Sequence, residues 1–248
     1  MKYFSQSVEI KKIHTKLSKT NNWVKLKNSS SLVLFRGYIH NFSKKDLLTK
    51  AAKLNKNNVS RFLNFIDGHF CLIVIKKGFA FVAVDKIRSI PIIYTVHKKE
   101  LILSDWGKGI SKIVKLKLKD IDFFSSKLFA LSGYSFNQNT LYKNIKQINP
   151  GSFLIIYKSK IVQKNYYLWK PWNLTEDDKK LRTLKLLNEK IIKKLIKSCN
   201  GRQIVIPLSG GLDSRFIAAG LKHFGYTNVV SVSYGIKGNK DSLIAQKV

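Results

Sequence analysis

Six consecutive residues, Ser209-Gly210-Gly211-Leu212-Asp213-Ser214, are of the types that hold a phosphate group. Gly210 and Gly211 carry no Cβ, so their backbone can approach an anion closely. Ser209 and Ser214 add hydroxyl donors, and Asp213 offers a hard carboxylate oxygen to Mg2+. The hexad follows Gln203-Ile204-Val205-Ile206-Pro207-Leu208, a nearly continuous apolar run such as a buried parallel strand shows. After it, Phe216, Ile217, Ala218, Ala219 and Leu221 support a helix ending near Gly225, and Val229 to Ser233 form the next strand. A glycine turn at such a strand-to-helix junction aims unpaired N–H groups and the positive end of the helix dipole at a ligand. A bare Gly-Gly would be an ordinary turn; the flanking Ser, Asp and Ser make it a phosphate loop. The chain has no GK[ST] sequence, which excludes a Walker A loop. Arg215 reads as an exposed helix residue rather than a phosphate contact.

No other arrangement offers comparable chemistry. His14, His40, His69, His97 and His223 show no metal-ligand spacing. Cys71 and Cys199 lie far apart in apolar settings and belong to no CxxC pair, which argues against a metal site and a disulfide framework. Asp177-Asp178 fits the first turn of a helix better than acid–base work.

The elements that must position the loop fall into two groups. A length of 248 residues with 44 % apolar content suggests two domains with real cores. From about 30 to 160, short apolar runs are broken by turns. Ser31 to Phe35 is one candidate strand. Cys71–Ile75 and Phe79–Val84 flank Lys76-Lys77-Gly78 as a hairpin, Ile90–Val96 and Glu100–Leu103 flank His97-Lys98-Lys99, and Ser152–Tyr157 pairs with Lys160–Gln163. Many antiparallel strands with few helices are expected there. Thr175-Glu176-Asp177-Asp178 then opens an amphipathic helix through Leu181, Leu184, Leu187, Ile191 and Leu195, which Asn200-Gly201 ends. The boundary is placed at 172, giving domains 1–172 and 173–248.

The formal net charge is +32, yet only six of the 46 basic residues are arginine, the residue favoured for phosphate clamping and base readout. The lysines are scattered through every segment alongside abundant Ile and Asn, the pattern of an AT-rich coding bias, so a nucleic-acid partner is not expected. Apolar runs are strand-sized and too short to span a bilayer. The expectation is a soluble, cytoplasmic protein without a membrane partner.

The hexad in its strand context resembles the pyrophosphate loop of the N-type ATP pyrophosphatases, and residues 30 to 248 resemble asparagine synthetase and its relatives. Phe65-Ile66-Asp67-Gly68-His69-Phe70, Asp85 to Tyr94, and Thr140-Leu141-Tyr142 through Pro150-Gly151 are similar, in order and spacing, to that family's stretches. The resemblance implies a layered antiparallel α+β glutaminase-like (Ntn) domain followed by the start of a doubly wound parallel α/β ATP-pyrophosphatase domain. It implies ATP and Mg2+, with Leu208 beside the adenosine, and Ser209, Gly210, Gly211, Asp213 and Ser214 around the pyrophosphate. Tyr234 and Gly235, in Ser231-Val232-Ser233-Tyr234-Gly235, match the place where adenine sits, although Tyr234 replaces a small aliphatic residue. The reaction implied is adenylation of a small carboxylate substrate and attack by an amine to give an amide; a homodimer is compatible with it.

The chain departs from the family in its first half. The family's nucleophile is an N-terminal cysteine, whereas this chain begins Met1-Lys2-Tyr3. Phe35-Arg36-Gly37-Tyr38-Ile39-His40-Asn41 aligns with the segment that holds glutamine, and Arg36 and Tyr38 replace its Asn and Glu. A degenerate, inactive glutaminase half is therefore expected, with free ammonia or the substrate's own amine as nitrogen source, as in the related β-lactam synthetases. Because the family's second phosphate loop would lie beyond Val248, the chain is expected to be the N-terminal portion of a longer reading frame, or a fragment interrupted by a frameshift. Two rival readings remain, an RNA-modifying ATP pyrophosphatase and a non-catalytic degenerate protein.

Overall fold

The computed structural model describes residues 5–7, 10–170, 177–236 and 238–248. The chain divides into two compact units, Met1–Trp169 and Lys170–Val248.

The first unit runs β1 (Ser5–Ser7), β2 (Lys12–Thr15), β3 (Val24–Lys27), β4 (Ser31–Ile39), α1 (Lys44–Ala52) and α2 (Val59–Phe65). It continues with β5 (Gly68–Lys76), β6 (Phe79–Val84), β7 (Ile93–His97), β8 (Glu100–Ser104), α3 (Gly107–Val114) and α4 (Phe123–Ser132). It ends with β9 (Lys146–Gln147), β10 (Ser152–Tyr157) and β11 (Lys160–Asn165). An antiparallel seven-stranded sheet has the order β1-β11-β10-β6-β5-β4-β3, and a four-stranded sheet the order β2-β8-β7-β9. The second is mixed, because β2 pairs parallel with β8, Ile13 opposite Leu101.

Period-two alternation sends each strand of the large sheet into two cores, which is why those strands are apolar on both faces. Phe70, Leu72 and Val74 of β5 join Phe81, Phe153 and the helical residues Leu47, Ala51 and Leu63 on one side. Cys71 and Ile73 join Val82, Leu154, Tyr94, Leu101 and Leu103 on the other, so this core lies between the two sheets. Ile102 turns to a third core with Ile110 of α3 and Ile145. The layers are helix, sheet, sheet, helix.

The expected hairpins form, and two of them turn without glycine. Lys98 and Lys99 have φ of 48° and 63°, Lys158 and Ser159 of 48° and 60°, the left-handed pair that matches the twist of a two-residue hairpin. The four α-helices of this unit exceed the expectation of few helices. They are 7 to 10 residues long, too short for a strong periodic signal, and two rest on caps. Ser43 Oγ accepts from Asp46 N at 3.1 Å, and Asp122 Oδ1 from Ser125 N at 2.9 Å.

The second unit contains α5 (Asp177–Cys199), β12 (Ile204–Pro207), α6 (Leu212–His223), β13 (Val229–Val232) and α7 (Lys240–Ala245). The expected cap residues Thr175 and Glu176 lie outside the described residues. Asn200 and Gly201, both with positive φ, end α5. Strands β12 and β13 pair in parallel, Ile206 opposite Ser231. Ile192 of α5, Ile206 of β12 and Leu221 of α6 form the core, while Val205, Val230 and Val232 point the other way and stay 41 to 55 % exposed. The chain as a whole is mixed α and β, with antiparallel and mixed sheets in the first unit and a parallel pair in the second. Among the described residues no helix is long and apolar enough to cross a membrane.

Candidate functional site

The hexad lies at the C-terminal end of β12 and opens α6, where a parallel strand hands the chain to a helix. Leu208 is 6 % exposed, and its N–H donates to Val232 O at 2.8 Å, which ties the start of the loop to the end of β13. Gly211 is the N-cap residue of α6 and offers no side-chain cap, so the first turn keeps donors for another acceptor. Asp213 stands exposed in that turn, where the helix dipole favours negative charge.

Hydroxyls knit the loop together. Ser214 Oγ accepts from Ser209 N at 3.1 Å and lies 3.1 Å from Ser209 Oγ. Ser209 Oγ in turn accepts from Gly211 N at 3.2 Å. The two serines therefore hold the turn in shape, and a phosphate oxygen can take over the Gly211 N–H from a hydroxyl at little cost. Gly210 is needed for space, since a Cβ there would lie 2.7 Å from Asp241 Oδ1.

Two contributions were not legible in the sequence. Arg215 does not extend into solvent as expected. Its Nε donates to Gly211 O at 3.1 Å and Nη2 to Gly210 O at 3.2 Å, so the guanidinium folds back over the loop. An (i, i−4) reach from the first turn of a helix is the signal that could have suggested it. Asp241, in the first turn of α7, comes beside Gly210 from 31 residues downstream, which no local pattern announces.

Tyr234 and Gly235 follow β13 directly. Tyr234 is 86 % exposed, so its ring is free to meet a ligand. Gly235 has φ of +143°, and a Cβ would overlap the Asn239 side-chain amide. Asn239 is the N-cap of α7, its Oδ1 accepting from Ser242 N at 2.9 Å. Gly235 thus allows the tight passage from β13 to α7.

The residues present fit a nucleotide phosphate with Mg2+. The donors are backbone amides and hydroxyls at a helix N-terminus, as a phosphate requires. Among the described residues no three or more His, Cys, Asp or Glu side chains gather into a metal cage. Asp213 alone, or with Asp241, matches Mg2+, which takes one or two carboxylates and fills its octahedron with phosphate oxygens and water.

In the first unit, the segment aligned with a glutamine pocket is occupied differently. Arg36 of β4 pairs with Asp105 at 3.3 Å, and the Asp105 side chain is fully buried. The same carboxylate accepts from Ser18 N at 2.8 Å, Asn21 Nδ2 at 2.6 Å and Trp23 Nε1 at 2.9 Å. Tyr38 packs edge-on against His40, ring centres 5.0 Å apart. Cys71, directly across from Arg36 in the sheet, is completely buried. Burial first, then the Asp105 and Asp85 charges, push its thiol well above the usual cysteine range, Arg36 opposing them. It is no nucleophile. Cys199 is partly buried and also free.

No family profile matches the chain, and no curated protein matches it. Among solved structures it is similar to the glutamine phosphoribosylpyrophosphate (PRPP) amidotransferase of B. subtilis complexed with ADP and GMP. The identity is 12 % over 59 % of this chain and 31 % of that one, with a TM-score of 0.37. It is also similar to a structure described as the allosteric regulatory enzyme of purine biosynthesis, at 11 % identity over 91 % of this chain and 50 % of that one, with a TM-score of 0.31. The chain thus spans a third to a half of the length of these two proteins.

Proposed function

We propose that the chain is an ATP-dependent amide-forming ligase of the asparagine-synthetase type, whose second unit binds Mg-ATP and whose first unit has lost glutaminase activity. The observation that carries this reading is the phosphate loop itself: a parallel strand, Ser-Gly-Gly-Leu-Asp-Ser and a helix, with its serines mutually hydrogen-bonded and its helix N-terminus uncapped. Amides of the first turn of α6 and the hydroxyls of Ser209 and Ser214 receive the β- and γ-phosphates, while Asp213 holds Mg2+. Leu208 and Tyr234 flank the adenosine, with Gly235 behind. A carboxylate substrate attacks the α-phosphorus, pyrophosphate leaves against the helix dipole, and an amine displaces AMP from the acyl-adenylate. Arg36 is committed to the buried Asp105 and Tyr38 is packed on His40, which leaves no Asn–Glu pair for glutamine. Free ammonia or an amine of the substrate supplies the nitrogen.

The test is pyrophosphate exchange. With Mg2+ and a panel of carboxylates, labelled pyrophosphate should enter ATP for at least one acceptor, and glutamine should yield no glutamate. Mg-dependent ATP binding with no exchange under any acceptor would replace this reading with a non-catalytic nucleotide binder. The net charge of +32 favours a second reading, an RNA-modifying ATP pyrophosphatase. Tight, salt-dependent and selective tRNA binding would move the function there.

A further inference from the structure

We propose a second ligand site in the first unit, a cleft beside Trp106 that takes a nucleoside 5′-monophosphate. The cleft measures about 620 Å3 and is lined by Lys16, Lys19 and Lys112, by Trp106 and by the backbone of Gly109. This is the size of a small-molecule site, with an aromatic wall and a mostly apolar lining rimmed by lysines. Three of its nine lining residues are lysines and none is acidic, and Lys112 Nζ stands beside the indole.

The walls are built, which distinguishes the cleft from a gap between surface lysines. Ser104 is fully buried, and its hydroxyl donates to Lys16 O at 2.7 Å and lies 2.9 Å from Trp106 O, bracing both walls. Lys16 N donates to Leu103 O at 2.8 Å, which prolongs the pairing of β2 with β8. The loop that follows is anchored by the buried Asp105 through Ser18 N, Asn21 and Trp23. Trp106 is held against α3, because a Cβ on Gly109 would lie 2.7 Å from Trp106 Nε1 and 2.5 Å from Ser104 Oγ. Trp106 nonetheless remains 39 % exposed, with Lys112 Nζ 6.0 Å from a ring centre.

This composition selects the ligand. An exposed, immobilised indole face stacks a planar base at low entropic cost. The lysines then offer a phosphate charge stabilisation that a neutral nucleoside forgoes. Bare phosphate gains the charge without the stacking. A nucleoside monophosphate satisfies both, and Ser18 and Thr20, whose hydroxyls lie 2.8 Å from one another, stand in the same lining.

The test follows the indole N–H resonance of Trp106, assigned by its disappearance in Trp106→Phe, while AMP is titrated into the intact chain. Reading one indole separates this site from the phosphate loop. The resonance should shift and saturate, and adenosine and inorganic phosphate should each bind at least about tenfold more weakly. Lys16→Gln with Lys112→Gln should weaken AMP about fivefold or more, whereas Lys44→Gln with Lys45→Gln, which removes equal charge elsewhere, should leave it within twofold. No saturable shift of Trp106 overturns the proposal, and so does equal weakening by the two double variants. A chain that binds ATP at the loop yet shows no Trp106 response refutes this cleft alone.

Discussion

A guanidinium that donates to the carbonyls of both Gly210 and Gly211 adds to the serines' hold on which way those two peptides face. In a trans peptide the N–H points opposite the C=O, so Arg215 turns the amides of Gly211 and Leu212 away from itself. Arg215→Ala should therefore weaken Mg-ATP about fivefold, the worth of roughly 1 kcal/mol of hydrogen bonding, while adenosine binds as before. Arg215→Lys, with one donor centre for two acceptors, should recover only part, and calorimetry with both ligands separates these outcomes. Equal losses for ATP and adenosine would mean that Arg215 merely supports the fold. A second residue-scale consequence concerns Tyr94, which is 2 % exposed and whose phenol burial pushes up to about 12 from an ordinary 10. Tyr166, whose hydroxyl donates to Val84 O at 2.8 Å, is raised further by burial and by Asp85. Both folded values exceed the unfolded one, so their stabilising effect is whole below pH 10 and is lost as pH climbs toward 12. The part of the phenolate absorbance that belongs to these two rings should rise late and together with loss of folded circular dichroism. Ionisation of every tyrosine near pH 10 with the fold intact would contradict this.

At the scale of elements, Asp85 carries the turn after β6. It is 1 % exposed and accepts from Phe70 N at 3.1 Å, Ile87 N at 3.0 Å and Ser89 N at 2.9 Å. Asp85→Ala strands the Phe70 donor in the core, frees those of Ile87 and Ser89 in the exposed turn, and should cost on the order of 3 kcal/mol, read as a lower denaturation midpoint. An unchanged midpoint would show that water reaches the turn. What was legible in the sequence tracks the strength of local signals. The β5–β6 and β7–β8 hairpins and the β12–α6–β13 unit were readable because apolar runs and turn residues lie within a few positions of one another. The short helices α1 to α4 were not, since their caps are single residues and their faces are narrow. The parallel pairing of β2 with β8 joins residues 88 apart, such as Ile13 and Leu101, and no period reveals it. The loop residues 208 to 214 were legible for the same local reason, whereas Asp241 required the turn of Gly235 and α7 to deliver it.

Across the whole molecule, two units each carry their own core, and a charge of +32 is spread over both. Scattered lysines predict nucleic-acid binding that is weak, indifferent to sequence and steeply reduced by salt, as counterion release dictates. Filter binding of tRNA and of an unrelated RNA across a salt series measures it. A clear preference for tRNA that survives physiological salt would instead place RNA among the substrates. The account depends above all on the phosphate role proposed for residues 209 to 214, and a calorimetric titration of Mg-ATP into the wild-type chain, Gly211→Trp and Asp213→Ala tests it directly. Mg-dependent binding should appear in the wild type and fall about tenfold or more, roughly 1.4 kcal/mol, in both variants, with folded circular dichroism unchanged. Equal affinity in all three chains would contradict the assignment of this loop to ATP.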